Sequence, residues 1–234
     1  MSETGQITGS LSEVSNSAPA DEPATEPKWI KSAVWSALLV VLGTIVIAWA
    51  WTLQTDKIAI LGPPPPVGRD VPEFTLIERD GRTVTKKDLL GLVWIADFIF
   101  TRCSGPCPEL SARMAALQRT LKGEPDVRLV SFTLDPESDR PEVLQDYAKR
   151  FKAEKDRWLF LTCDSEPYMY DLTRYGFFQT VIPETQNTPM IHSEYFVVID
   201  RQGRIRSAYD GIQADTKAKV LSDVKHLLME PRVP

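Results

Sequence analysis

Three regimes of hydrophobic patterning follow one another along the chain. Residues 1–31 are rich in Ser, Glu, Pro, Ala and Thr, and before Lys28 they hold no Lys, Arg or aromatic side chain. Too little apolar surface is available there to offset the entropy of ordering, which predicts a disordered acidic tail. Ser32 to Thr55 then runs without a single charged residue. As a helix, Ala33 to Leu53 spans about 31 Å at ~1.5 Å per residue, the thickness of a bilayer's hydrocarbon core. Trp29 and Trp35 near one end, with Trp49 and Trp51 at the other, sit where interfacial aromatic residues belong. The run is too long for a core helix, and its acidic leader is wrong for a cleaved signal peptide. Residues 32–55 are therefore expected to form a single transmembrane anchor. Residues 56–67 contain Pro63-Pro64-Pro65-Pro66, a stiff polyproline II spacer rising ~3.1 Å per residue.

From residue 68 to 234 the pattern becomes that of a folded α/β domain. Phe74–Ile77 and Arg82–Val84 flank Asp80-Gly81, a hairpin signal. Thr85 with Asp88 three residues on resembles a capping box for a short helix. Apolar runs at Leu92–Phe100, Val127–Thr133, Trp158–Cys163, Ser193–Asp200 and Arg204–Tyr209 read as strands, the last two joined at Gln202-Gly203. Helical periodicity marks Pro108–Lys122, Pro141–Phe151, Pro167–Tyr175 and Asp215–Leu228. Alternating strands and helices closed by a hairpin and a final helix imply a mixed sheet with helices packed on it.

Charge narrows the function. A net charge of -5 and an isoelectric point near 5.2 argue against nucleic-acid binding, which needs a basic face. Three cysteines are too few for a disulfide scaffold and suggest a reactive pair plus one. His192 and His226 are the only imidazoles.

The reactive pair is Cys103 and Cys107, in Thr101-Arg102-Cys103-Ser104-Gly105-Pro106-Cys107-Pro108. A strand ends there and a helix begins, so the dipole at the helix N-terminus is expected to favour the Cys107 thiolate. Two such sulfurs either exchange disulfides or hold a soft metal. His192 precedes a strand that should pair beside the cysteine-bearing one, which would carry the imidazole toward both sulfurs. Two thiolates and an imidazole suit Cu(I) and tolerate Cu(II). Cys163, at a strand end, reads as a small buried hydrophobe. His226, in the last helix, reads as a surface residue. Asp135 lies at the same sheet edge as the cysteines, where a carboxylate can meet a partner. In Asp135-Pro136-Glu137-Ser138-Asp139-Arg140-Pro141, Asp139 or Ser138 is the expected helix N-cap.

On these residues the chain resembles the Sco (SenC) family of membrane-tethered, thioredoxin-fold copper proteins. The carrying motifs are Phe98-Ile99-Phe100-Thr101 leading to Cys103, three residues, then Cys107-Pro108; Leu134-Asp135-Pro136 with Asp139 and Pro141; and His192 before Val198-Ile199-Asp200 and Gly203. The resemblance implies one copper ion per domain on Cys103, Cys107 and His192, and partner contact at Asp135. It also implies delivery of copper to the dinuclear centre of cytochrome c oxidase subunit two, with other copper chaperones or thiol–disulfide reductants as further partners. The loop Ser104-Gly105-Pro106 departs from the family by being less bulky.

Cysteine chemistry away from the cytosol then places the C-terminal domain on the periplasmic or outer side of a bacterial inner membrane, in preference to a mitochondrial one. The competing reading is an enzyme, a thiol–disulfide oxidoreductase using Cys103 and Cys107 as its redox pair with no call on His192. A peroxidase of the peroxiredoxin type is excluded. It expects Pro seven residues before its reactive cysteine, where Ala96 and Phe100 stand.

Overall fold

The computed structural model describes residues 28–59, 68–186 and 190–232. Two compact units divide the chain, 1–56 and 57–234. Among the described residues the first holds most of helix α1 (Lys28–Ala59), which outruns the expected 32–55 at both ends. Its described side chains include Trp35, Leu38, Leu39, Val40, Ile45, Val46, Ile47 and Trp49, all exposed. Among the described residues no helix is long and apolar enough to cross a membrane. The uninterrupted run of described side chains in α1 is only 35–49, and the expected anchor extends past it in both directions. The expected tail through residue 27 and the Pro-rich stretch 60–67 lie outside the described residues.

The second unit is built on a seven-stranded sheet. Its strands are β1 (Thr75–Glu78), β2 (Thr83–Thr85), β3 (Val93–Ile99), β4 (Val127–Thr133), β5 (Trp158–Thr162), β8 (Tyr195–Ile199) and β9 (Ile205–Asp210), in spatial order β2-β1-β5-β4-β3-β8-β9. A separate two-stranded ribbon pairs β6 (Val181–Ile182) with β7 (Ile191–His192). Strands β3, β4 and β5 are parallel, while β1, β8 and β9 join antiparallel. The sheet is mixed, as expected of a thioredoxin-like domain. Every residue of β3 is buried, because helices and loops cover both faces of the central strand, and its sequence is accordingly a near-continuous apolar run.

The helices are α2 (Cys107–Thr120), α3 (Pro141–Arg150), α4 (Glu166–Asp171) and α5 (Thr216–Met229). On one face of the sheet Leu110, Met114 and Leu117 of α2 pack with Leu144 and Ala148 of α3, Val220, Val224 and Leu227 of α5, and Ile95 and Ile99 of β3. Each of these Leu, Met, Val and Ile side chains, fully buried, contributes about 1.5–3 kcal/mol. The other face holds Trp94, Ala96 and Phe98 with Phe132, Phe177, Met169 and Leu172.

Local chemistry sets the boundaries. The Thr85–Asp88 capping box forms, with the Thr85 N–H donating to Asp88 Oδ2 at 2.7 Å, and starts a 3-10 turn at Lys86–Leu89. Gly81 and Gly203 sit in their turns at φ 86° and 77°, where a Cβ would be strained. The helix expected at Pro167–Tyr175 is instead α4 followed by a π-helical turn, Leu172–Gly176. The expected cap of α3 fails: its N-cap is Arg140 with no side-chain bond, because the Asp139 carboxylate is used elsewhere. Ribbon β6–β7 had no sequence signal, each strand being two residues long.

Candidate metal centre

The parallel strands end together, and their C-terminal edge carries the chemistry. Leu134 N–H donates to Ile99 O at 2.8 Å, carrying the β3–β4 ladder one step beyond the strands. A tight turn follows, in which the Cys103 N–H donates to Phe100 O at 3.2 Å. Helix α2 then opens on Cys107 itself, one residue earlier than the Pro108 start expected, with Pro106 as N-cap and Leu110 N–H bonded to Pro106 O at 2.9 Å. Cys107 is fully buried and Cys103 is half-buried; both are free thiols.

The ribbon brings in the histidine. Val181 pairs with His192 and Ile182 with Ile191, so His192 lies within β7 instead of merely preceding a strand. Cross-strand partners share a face, and the buried Val181 shows that His192 points inward with it. His192 Nε2 stands 3.4 Å from Cys107 Sγ, and its Nδ1 stands 3.0 Å from Ser193 O. The second contact requires a proton on Nδ1 and leaves the Nε2 lone pair facing the sulfur. Phe100 packs edge-on against the imidazole, with centroids 5.7 Å apart. The topological expectation for the histidine therefore holds: β8, which follows it, pairs with β3 from Trp94↔Ile199 to Ala96↔Val197.

Burial dominates the electrostatics. It pushes the Cys107 thiol well above the ordinary range, and a hydrogen bond with Cys103 pushes the same way. The helix-dipole expectation of a Cys107 thiolate is thus overturned in the metal-free protein, because desolvating an anion outweighs a partial charge at a helix end. Burial also lowers the His192 pKa and keeps the ring neutral.

The donor set fits a soft metal. Sγ and N donors on one tetrahedral ion, at about 2.3 and 2.0 Å, lie about 3.5 Å apart, close to the Cys107–His192 separation. Among the described residues no three His, Cys, Asp or Glu side chains stand close enough to hold an ion as they are. Cys107 and His192 meet, Cys103 stands in the same loop as a free thiol, and enclosing an ion requires Cys103 to close in.

Two carboxylates at this edge brace the cysteine loop. Asp135 is nearly buried, and its Oδ2 accepts from Arg102 Nε at 2.7 Å, while Arg102 also reaches Glu184 at 3.5 Å. The partner-contact carboxylate expected at Asp135 is thus covered by the residue next to Cys103. Asp139, fully buried, accepts from the Thr101 N–H at 3.0 Å, from the Thr101 hydroxyl, and from Thr133 Oγ1 at 2.5 Å. It ties the cysteine loop to the end of β4, a role hidden in the sequence because the same residue suits a helix cap. Arg102 was also missed, since a lone Arg in a loop carries no signal of its partner.

The remaining candidates lie apart from this cluster. Cys163 falls just past β5, partly buried against the core cluster that holds Phe132 and Met169, with its thiol donating to Ser165 O at 3.1 Å. His226 is half-buried on α5, its Nδ1 3.1 Å from Ser222 O.

Residues 65–229 match the SCO1/SenC family model. The SCO1 protein homolog of Bacillus subtilis (strain 168) is 35% identical over 161 residues, covering 68% of this chain and 83% of that protein. The solved structure of BsSco, described as a member of the Sco family of cytochrome c oxidase assembly proteins, is 33% identical, with a TM-score of 0.64 over 71% of this chain and 98% of its own. Arabidopsis thaliana ScoI, solved with copper bound, shares the fold at 24% identity, with a TM-score of 0.58 over 70% of this chain and 100% of its own. With its paired cysteines and inward-facing histidine set on the same scaffold, this chain belongs to the SCO1/SenC family.

Proposed function

We propose that this chain is a membrane-anchored copper-binding protein that delivers copper to the dinuclear copper centre of cytochrome c oxidase subunit two. The observation that carries the reading is the 3.4 Å approach of His192 Nε2 to Cys107 Sγ, with Nδ1 held by Ser193 O. A disulfide enzyme has no need of an imidazole oriented in this way. Cys103 Sγ, Cys107 Sγ and His192 Nε2 are the ligands, one ion per domain. Copper bound there supplies a thiolate-rich centre able to pass the ion on by ligand exchange. The chain's own part is to release both thiol protons on loading, hold the neutral imidazole in one tautomer, and shield the ion behind Phe100. Asp135 serves partner contact through Arg102. The copper bound in Arabidopsis ScoI and the assembly role stated for BsSco support this assignment.

The uncharged sequence 32–55 is the anchor, and its exposed apolar side chains in α1 support that role. The domain faces the periplasm or cell exterior of a bacterial inner membrane, where reactive thiols of this kind operate. The two free thiols four residues apart, Cys103 and Cys107, favour one second reading, a thiol–disulfide oxidoreductase acting on cysteines of an oxidase subunit or another exported protein.

One experiment separates the two. The reduced full chain in detergent is titrated with Cu(I) and Cu(II) beside His192→Ala, with disulfide exchange measured on both. The expected result is one copper per chain and a thiolate-to-Cu(II) charge-transfer band that His192→Ala removes. Poor copper binding, with disulfide exchange equal in both proteins, would establish the oxidoreductase instead.

A further inference from the structure

Ribbon β6–β7 has two faces with opposite characters. The inner face carries Val181, 3% exposed, and the ligand His192. The outer face carries Ile182 and Ile191, paired directly across the ribbon and 47% and 49% exposed. Further along, Ser193 N–H donates to Thr180 O at 2.9 Å and Thr180 N–H donates to Ser193 Oγ at 2.8 Å, so the ribbon is fastened at its base. Arg174 secures its inner strand by donating to Val181 O from Nε at 3.0 Å. The two isoleucines are therefore presented on a braced element that places them next to a metal ligand.

Nothing in the domain's own core requires them there, and two exposed isoleucines facing each other cost solvation that a buried neighbour would recover. Acidic side chains flank the pair. Glu184 lies two residues beyond Ile182, and Glu194 lies two beyond His192, near enough to act on its charge. The Arg102 guanidinium is shared by Asp135 and Glu184, so among the described residues Glu194 is the flanking carboxylate left without an ion pair.

We infer that Ile182 and Ile191 form the docking surface for the protein that receives the copper ion. That protein presents an apolar patch rimmed with Lys or Arg beside its own copper ligands. This rests on the proposed copper-delivery function and adds its recognition surface. The occupant follows from the chemistry of transfer. As each bond from copper to Cys103, Cys107 or His192 breaks, one to a partner ligand forms, with the oxidation state unchanged and protons returning to the thiolates from solvent. Direct exchange needs both ligand sets within bonding distance of one ion at once, so the recipient must cover the surface around His192. The isoleucine pair is an exposed apolar surface on the same ribbon as His192, and the unpaired Glu194 sets the sign of the partner's rim.

The test compares the copper-loaded full chain with Ile182→Ser, Ile182→Ser/Ile191→Ser and Glu194→Lys. Transfer is timed to the metal-free copper domain of oxidase subunit two and, separately, to a small thiol chelator. The expected result is wild-type copper stoichiometry and spectrum in both isoleucine variants, with unchanged transfer to the chelator. Transfer to the protein should slow at least tenfold in the double variant, less in the single one, and Glu194→Lys should weaken its salt dependence. Equal transfer to the protein by all variants overturns the docking surface while leaving copper delivery intact. Parallel slowing toward protein and chelator also overturns it, by placing the isoleucines in the site itself. A wild-type chain that takes up no copper, or never transfers it, overturns the delivery reading and the surface with it.

Discussion

Replacing Asp97 by Asn should make the domain more stable at pH 8, and less so at pH 5. Asp97 is fully buried in β3, on the face covered by α2. Its Oδ1 accepts from Ser131 Oγ at 2.5 Å, Ser131 Oγ accepts from Trp158 Nε1 at 2.9 Å, and Oδ2 has no partner among the described residues. Desolvation raises its pKa from 3.8 to about 7, the Ser131 bond offsetting only part of the effect. The folded state therefore holds the proton longer than the unfolded chain does. Stability is fully present below the ordinary carboxylate pKa, falls as pH climbs toward 7, and is level above. At ~1.4 kcal/mol per unit, the ionised group costs about 4 kcal/mol at pH 8 but about 2 kcal/mol at pH 5. Asn preserves the acceptor for Ser131 and replaces Oδ2 by an amide whose unmet bonds cost about 1–3 kcal/mol at either pH. The gain from Asp97→Asn should thus be about 2–3 kcal/mol larger at pH 8 than at pH 5. Urea unfolding of the reduced, metal-free domain at both pH values measures it. A wild-type-to-variant difference that is the same at both would refute the argument, because it would mean Asp97 does not titrate in this window.

Three further outcomes follow from other contacts. Asp139→Ala removes the acceptor of three hydrogen bonds joining the cysteine loop to β4. After relief of its own desolvation it should cost about 3 kcal/mol in urea unfolding and speed amide exchange at Thr101. Gly211→Ala places a Cβ 2.7 Å from the carbonyl of Glu194, which backbone cannot easily yield, and closer still to the side chain of the fully buried Leu110. It should destabilise by more than about 2 kcal/mol, read as a drop in melting temperature. Because burial holds Cys107 protonated, copper must displace its proton, and apparent affinity should fall about tenfold per pH unit per proton released between pH 8 and 6. Competition titration reads that slope, and a flat profile would mean the thiols are already ionised before loading.

The elements that the sequence made legible are those whose burial is one-sided or complete over several residues. β3 and β4 appear as apolar runs of strand length, and α2 as Leu110, Met114 and Leu117 at helical spacing, because each must hide a continuous surface. Strand ends shifted by one or two residues, since terminal pairing depends on the neighbour and not on the residue. β6 and β7 are different in kind. A two-residue strand has no period to detect, and its existence depends on Thr180–Ser193 and Arg174–Val181 contacts between residues far apart in sequence. The placement of His192 was nevertheless reachable, because β8 had to pair beside β3 whatever the intervening loop did.

The charged residues divide along the same physical line. Asp97 stands inside an otherwise apolar strand, and the apolar run of Leu92–Phe100 marks the strand without marking the cost of that carboxylate. Asp139 was invisible in its true role, because a cap and a long-range tether ask for the same carboxylate and only the tertiary fold chooses between them. The Cys107 expectation failed for a related reason. The helix N-terminus is a local feature readable from Pro106 and Pro108, and its dipole is worth about 0.3–1 kcal/mol. Burial is set by the cluster that brings Tyr147, Phe160 and Phe196 to the same face and by the imidazole, all from distant parts of the chain, and it shifts a thiol by far more. A cation reverses that balance, since bringing positive charge between Cys107 and His192 makes the same low-dielectric pocket favour the thiolate. The burial that silences the cysteine in the metal-free protein is therefore what makes its ionisation depend on the metal.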